Sequence, residues 1–112
     1  MQIDVRSQGD VKVIKLSGRL TLGESVDRLR DTIHDLLASG DCRMVIDLAE
    51  VVMLDSSGIG LLMKSLSAAK QAGGALKLLN PSKFAQQTLK MIGLLSVFGI
   101  FADLEQAVES FQ

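Results

Sequence analysis

The chain has 112 residues, 47% hydrophobic and 22% charged, with a single proline, a composition and length that suit one globular domain and exclude a disordered or linker-rich protein. Twelve basic against thirteen acidic residues leave a net charge of −1, too weak a field to hold a polyanion, so nucleic acid is not expected as a partner. The longest near-apolar run, Leu94 to Ala102, falls far short of the roughly 20 residues that span a bilayer, and Met1 to Arg6 lacks the apolar stretch of a signal peptide. A cytoplasmic protein with no membrane insertion is expected. The lone Cys42 cannot close an internal disulfide and has no companions for metal or redox chemistry.

In chain order, Ile3 and Val5 alternate with polar neighbours, Ser7-Gln8-Gly9-Asp10 reads as a turn, and Val11, Val13, Ile14 and Leu16 form a second strand. This is a β-hairpin. Gly18 is expected to end the second strand, and residues 19–23 to connect it to a helix from about Glu24 to Ser39. Val26, Leu29, Ile33, Leu36 and Leu37, three or four apart, make the buried stripe of that helix, with Gly40 as its stop. Met44 to Leu48 is too short and too evenly apolar for a helix and reads as a central strand buried on both faces. The next helix is expected from about Ser57 to Ala72, with Ile59, Leu62, Met63, Leu66 and Ala69 inside and Gly73-Gly74 as its end. Ala75 to Leu79 is a strand closed by Asn80-Pro81, and a third helix runs from Ser82 to Ile92. Val97 to Phe101 is the last strand, and Asp103 with Gln106 resembles a capping box for a final helix. The order ββαβαβαβα requires parallel pairing with right-handed crossovers, the hairpin adding an antiparallel edge. The expected fold is α/β: a single domain over 1–112 with a mixed, mostly parallel sheet and helices packed against it.

Chemistry concentrates in Asp55-Ser56-Ser57-Gly58-Ile59-Gly60, between the central strand and the second long helix. Hydroxyls and backbone N–H groups meet there at a helix N-terminus, where a phosphate is electrostatically favoured. A phosphate on Ser56 would add roughly −1.5 to −2 charges at a point the helix tolerates, yet one costly to desolvate beside Asp55 at a docking surface. The plainer reading is that Asp55 or Ser56 only caps the helix and that Gly58 and Gly60 only ease packing. Val51-Val52-Met53-Leu54 is too apolar to be fully exposed; at least two of the four are expected inside, and the others could dock a partner beside Ser56. Met63 and Met91 are expected in the core.

The element order, together with Val52-Met53-Leu54-Asp55-Ser56-Ser57-Gly58-Ile59-Gly60, resembles the STAS domain family and within it the bacterial anti-sigma factor antagonists. Ala72-Gly73-Gly74-Ala75-Leu76-Lys77-Leu78 and Met91-Ile92-Gly93-Leu94 resemble its later landmarks. The resemblance implies the STAS fold and no enzymatic activity, catalytic residue, metal or cofactor. It implies that Ser56 is phosphorylated by an anti-sigma factor that is also a serine kinase. The unmodified chain would bind that anti-sigma factor and free the sigma factor, and a separate phosphatase would reset the switch. The implied partner-binding residues are Met53, Asp55, Ser56, Ser57, Gly58 and Ile59, with Arg19 and Thr21 from the loop after the second strand. That loop reads Gly18-Arg19-Leu20-Thr21 where the antagonists carry a Gly-Glu-Leu/Ile-Asp pattern, a charge reversal that implies altered partner choice. The other function consistent with the resemblance is a STAS interaction module in a stressosome-like complex or as a transporter's cytoplasmic subunit.

Other chemistries fit less well. A receiver domain with Asp55 as phosphoacceptor needs Mg²⁺ held by more than one carboxylate, and the first strand ends in Ser7-Gln8-Gly9-Asp10 without an acidic pair. There is no Gly-x-Ser-x-Gly elbow, the one histidine, His34, lies mid-helix in another segment, and no mononucleotide P-loop occurs.

Overall fold

Alternation in the opening hairpin, broken at Val13-Ile14, and then apolar stretches divided by glycine produce a sheet with helices packed against it. The structure, a computed structural model, describes residues 1–111. Among these the elements are β1 (Gln2–Gln8), β2 (Val11–Leu20), α1 (Glu24–Ala38), β3 (Arg43–Leu54), α2 (Ser56–Gln71), β4 (Ala75–Leu79), α3 (Lys83–Met91), β5 (Gly99–Phe101) and α4 (Leu104–Glu109). They form one five-stranded sheet in the order β1-β2-β3-β4-β5. β1 and β2 pair antiparallel through a turn at Gly9, whose φ of 60° suits the tight hairpin, and every later pair is parallel.

Period-2 alternation sorts the strand residues onto two faces. Ile14 and Leu16 of β2, Met44, Ile46 and Leu48 of β3, and Leu76 and Leu78 of β4 meet Leu29 and Ile33 of α1, Leu62 and Leu66 of α2, and Leu89 of α3 in the main core. The opposite face is covered only in part. There Val11, Val13, Val45 and Leu79 pack with Ala107 of α4, flanked by Leu104 and Val108. Beyond α4 that face is polar: Lys15 lies 3.3 Å from Glu50, and Ser17 Oγ donates to Glu50 at 3.0 Å. These two partners hold the Glu50 carboxyl below its ordinary value, the serine hydrogen bond most of all.

Several boundaries differ from the sequence expectation, each for a local reason. β2 does not stop at Gly18. The strand continues to Leu20, and Gly18, at φ 111°, sits at a register shift against β3, so this glycine marks an irregularity inside a strand. β3 likewise continues past Leu48, because β2's extension gives residues 50–54 a partner, and the run Val51–Leu54 lies inside the strand. As expected, two of its four side chains, Val51 and Leu54, are buried, and Val52 and Met53 are exposed. β5 begins at Gly99, two residues late, and Phe98 fills the core from the preceding turn. Met91, expected inside, is 86% exposed. It lies two residues after the buried Leu89, about 200° around the helix, so one of them must face out. Met63 is half-buried against the core. Asp103 does cap α4, through the N–H of Glu105 at 2.8 Å.

Candidate functional site

The carboxyl ends of β2 and β3 lie side by side, Leu20 paired with Leu54, so the residues just after each strand meet above the same edge. Asp55 joins them. Its backbone is extended (φ −101°, ψ −178°), the conformation of an N-cap, and its Oδ1 accepts the N–H of Gly58 at 2.9 Å in the first turn of α2. Its Oδ2 accepts the N–H of Leu22, 33 residues earlier, also at 2.9 Å. One carboxylate therefore caps the helix and ties the β2–α1 loop to it. These N–H groups, that of Leu22 first and of Gly58 second, hold the Asp55 carboxyl below its ordinary value.

Gly58 explains how the two segments come this close. A Cβ at this position would lie 2.5 Å from the Leu20 carbonyl oxygen and 2.9 Å from Leu54 Cδ1, so only glycine lets the first turn of α2 rest on the strand ends. Gly60, by contrast, has open space where a Cβ would be.

Ser56 is the first residue of α2 and is exposed. Asp55 makes the cap, so the Ser56 hydroxyl is left out of it. The segments that meet here carry Ser57, half-buried, and three exposed apolar side chains: Leu22 at 79%, Val52 at 73% and Met53 at 44%. Arg19 is exposed, lies opposite Met53 in the β2–β3 register, and takes part in none of the ion pairs among the described residues. Thr21 is half-buried, its N–H and carbonyl both engaged by Ser25 Oγ at 3.1 and 2.8 Å, which fixes the loop at its other end.

Of the residues expected at a partner surface, the structure thus brings Arg19, Thr21, Met53, Asp55, Ser56 and Ser57 together. Gly58 and Ile59 lie buried beneath that surface and shape it without forming part of it. Leu22 is the residue that sequence reasoning misses. Its signal is an apolar side chain in a short connecting segment, outside the period of any strand or helix, with no core position to occupy. Among the described residues no group of three or more His, Cys, Asp or Glu side chains is placed to hold a metal, and no helix is long and apolar enough to cross a membrane.

Comparison with known proteins places this geometry in context. A family model described as the STAS domain matches residues 2–107. The anti-sigma F factor antagonist of Paenibacillus polymyxa is 26% identical over 102 residues, which is 90% of this chain and 86% of that protein. Among solved structures, an anti-sigma factor antagonist from Mycobacterium paratuberculosis superposes with a TM-score of 0.86 at 21% identity, covering 98% of this chain and 92% of that one. The phosphorylated form of the Bacillus cell fate determinant SpoIIAA superposes with a TM-score of 0.78 at 23% identity, covering 99% and 100%. At such identities the structural matches establish a shared fold.

Proposed function

The chain belongs to the STAS domain family, and from that premise we propose that it is an anti-sigma factor antagonist switched by phosphorylation of Ser56. In this reading the unmodified chain binds an anti-sigma factor that is also a serine kinase and thereby frees a sigma factor. The kinase phosphorylates Ser56, binding is lost, and a phosphatase restores it. The chain is the substrate of these reactions and catalyses none of them, and its place of action is the cytoplasm.

The observation that carries the proposal is the division of labour between Asp55 and Ser56. Two neighbouring residues are both suited to cap α2, and only Asp55 does so. Ser56 is then an exposed hydroxyl at a helix N-terminus, close in the chain to exposed Val52 and Met53 and joined through Asp55 to the loop that carries exposed Leu22. A phosphate there meets the positive end of the helix dipole, so the fold tolerates it. At an interface the same group would be buried beside the Asp55 carboxylate, and desolvating two neighbouring anionic groups costs several kcal/mol. Two relatives support this reading: the Paenibacillus protein carries the antagonist name, and SpoIIAA is known in a phosphorylated form.

The test is calorimetric titration of the host's anti-sigma serine kinase with the wild-type chain and with Ser56→Asp. The proposal requires the variant to bind about 100-fold more weakly or worse. Equal binding by the variant refutes the switch.

A further inference from the structure

The outer edge of β1 is unpaired. β1 is the terminal strand of the sheet and pairs with β2 alone, so one full row of its backbone N–H and C=O groups faces outward. Most of its residues are exposed. Natural edge strands are commonly protected by charged side chains, by proline or by bulges. The seven residues of β1 contain no proline, pair in unbroken register with β2, and carry one negative and one positive side chain, Asp4 and Arg6.

Those two charges share a face. Ile3 packs against the main core, so by alternation Asp4 and Arg6 both project from the other side of the sheet, where Arg6 Nε lies 3.0 Å from Asp4 Oδ2. Both remain more than half exposed. A strand that pairs antiparallel with a second copy of itself about a two-fold axis keeps each side chain on its own face, so the axis must pass through a residue position. Centring on Asp4 sets aspartate against aspartate, and centring on Arg6 sets arginine against arginine. Centring on Val5 sets Asp4 of each copy against Arg6 of the other. This third register is also the only one that pairs all seven residues, since Val5 is the midpoint of Gln2–Gln8. It brings the two Val5 side chains, each 39% exposed, together on the helix-bearing side.

We propose that β1 is a homodimerisation edge: two copies pair antiparallel about Val5, with reciprocal Asp4–Arg6 contacts, to form one continuous ten-stranded sheet. The Asp4–Arg6 pair within each strand becomes half of a four-charge array of alternating sign. β1 is separated from β3 by β2, so the dimer leaves Ser56 and its surroundings uncovered. The proposal stands independently of the function assigned to Ser56.

Sedimentation velocity between about 10 μM and about 1 mM tests it, a range that suits a small interface. The wild-type chain is expected to dimerise within that range. Asp4→Arg and Arg6→Asp each set like charges opposite one another twice and are expected to weaken self-association about tenfold or more. An equimolar mixture of the two variants is complementary again and is expected to dimerise as the wild type does. So is the double variant Asp4→Arg with Arg6→Asp in one chain. Circular dichroism confirms that each variant is folded. A wild type that stays monomeric to the upper limit overturns the proposal. So do a folded Asp4→Arg that dimerises like the wild type, or folded single variants whose mixture fails to associate.

Discussion

Two helices of this protein begin in the same way and put a serine to opposite uses. α2 comes after β3 and α3 after β4, and in each the cap side chain accepts the N–H three residues on: Asp55 from Gly58 at 2.9 Å, Ser82 from Ala85 at 3.1 Å. At α3 the serine is the cap. At α2 an aspartate holds that position, and the serine after it is displaced to the first helical residue, exposed and free of that duty. The caps differ in a second way. A serine has one oxygen, and Ser82 spends it on its own helix. Asp55 has two, and the second reaches Leu22 across 33 residues of sequence. The start of α3 is thus a local solution to unsatisfied N–H groups. The start of α2 is a junction between two loops that leaves an exposed serine outside the cap.

The contrast can be broken at the junction first. Gly58→Ala places a methyl against the Leu20 backbone. The better helix propensity of alanine, about 1 kcal/mol, does not offset the clash, and a net loss of about 1–3 kcal/mol is expected in denaturant unfolding. The corresponding alanine at α3 is native: Ala85 is the residue that Ser82 caps.

Asp55→Ala removes the cap and the tie together. It should destabilise the chain and speed hydrogen exchange at Leu22 and Gly58, which NMR can track residue by residue. Protonation should act in the same direction. Folding holds the Asp55 carboxyl below its ordinary value of 3.8, so its contribution is complete above that value and is lost as the pH falls through the depressed folded value. Protection of the Leu22 amide that is unchanged in Asp55→Ala would show that Asp55 does not hold the loop.

The smallest effects sharpen the comparison most. Ser82→Ala should cost about 1 kcal/mol as an ordinary lost cap. Ser56→Ala should lie within about 0.5 kcal/mol of the wild type, as expected of a surface serine without a capping role. Equal losses at the two serines would erase the distinction between them.

Much of this organisation is legible in the sequence, because glycine and hydrophobic period are strong local signals. Gly40, Gly73-Gly74 and Gly93 mark the ends of the three longer helices, and the element order read from them is the one the structure has. The features that escape such a reading depend on partners distant in sequence. Gly18 resembles a strand end unless β3 is known to continue beside it, and Val51–Leu54 resembles a loop unless β2 is known to reach Leu20. At the site, Asp55 and Ser56 stand out, but both are good N-cap residues and their order alone does not say which one caps. The bond from Asp55 to Leu22 decides much of the local shape and has no local signature. Leu22 escapes notice for the same reason: its exposure beside Ser56 comes from a loop position fixed by a residue 33 places away.

The proposed switch requires that Ser56, and no serine with a capping duty, receive a phosphate. Peptide mapping by mass spectrometry after incubation of the chain with the host's anti-sigma serine kinase, ATP and Mg²⁺ tests this most directly. One phosphate is expected, on Ser56, and none on Ser82 or in Ser56→Ala. An unmodified Ser56, or a phosphate on Ser82 in its place, would contradict it.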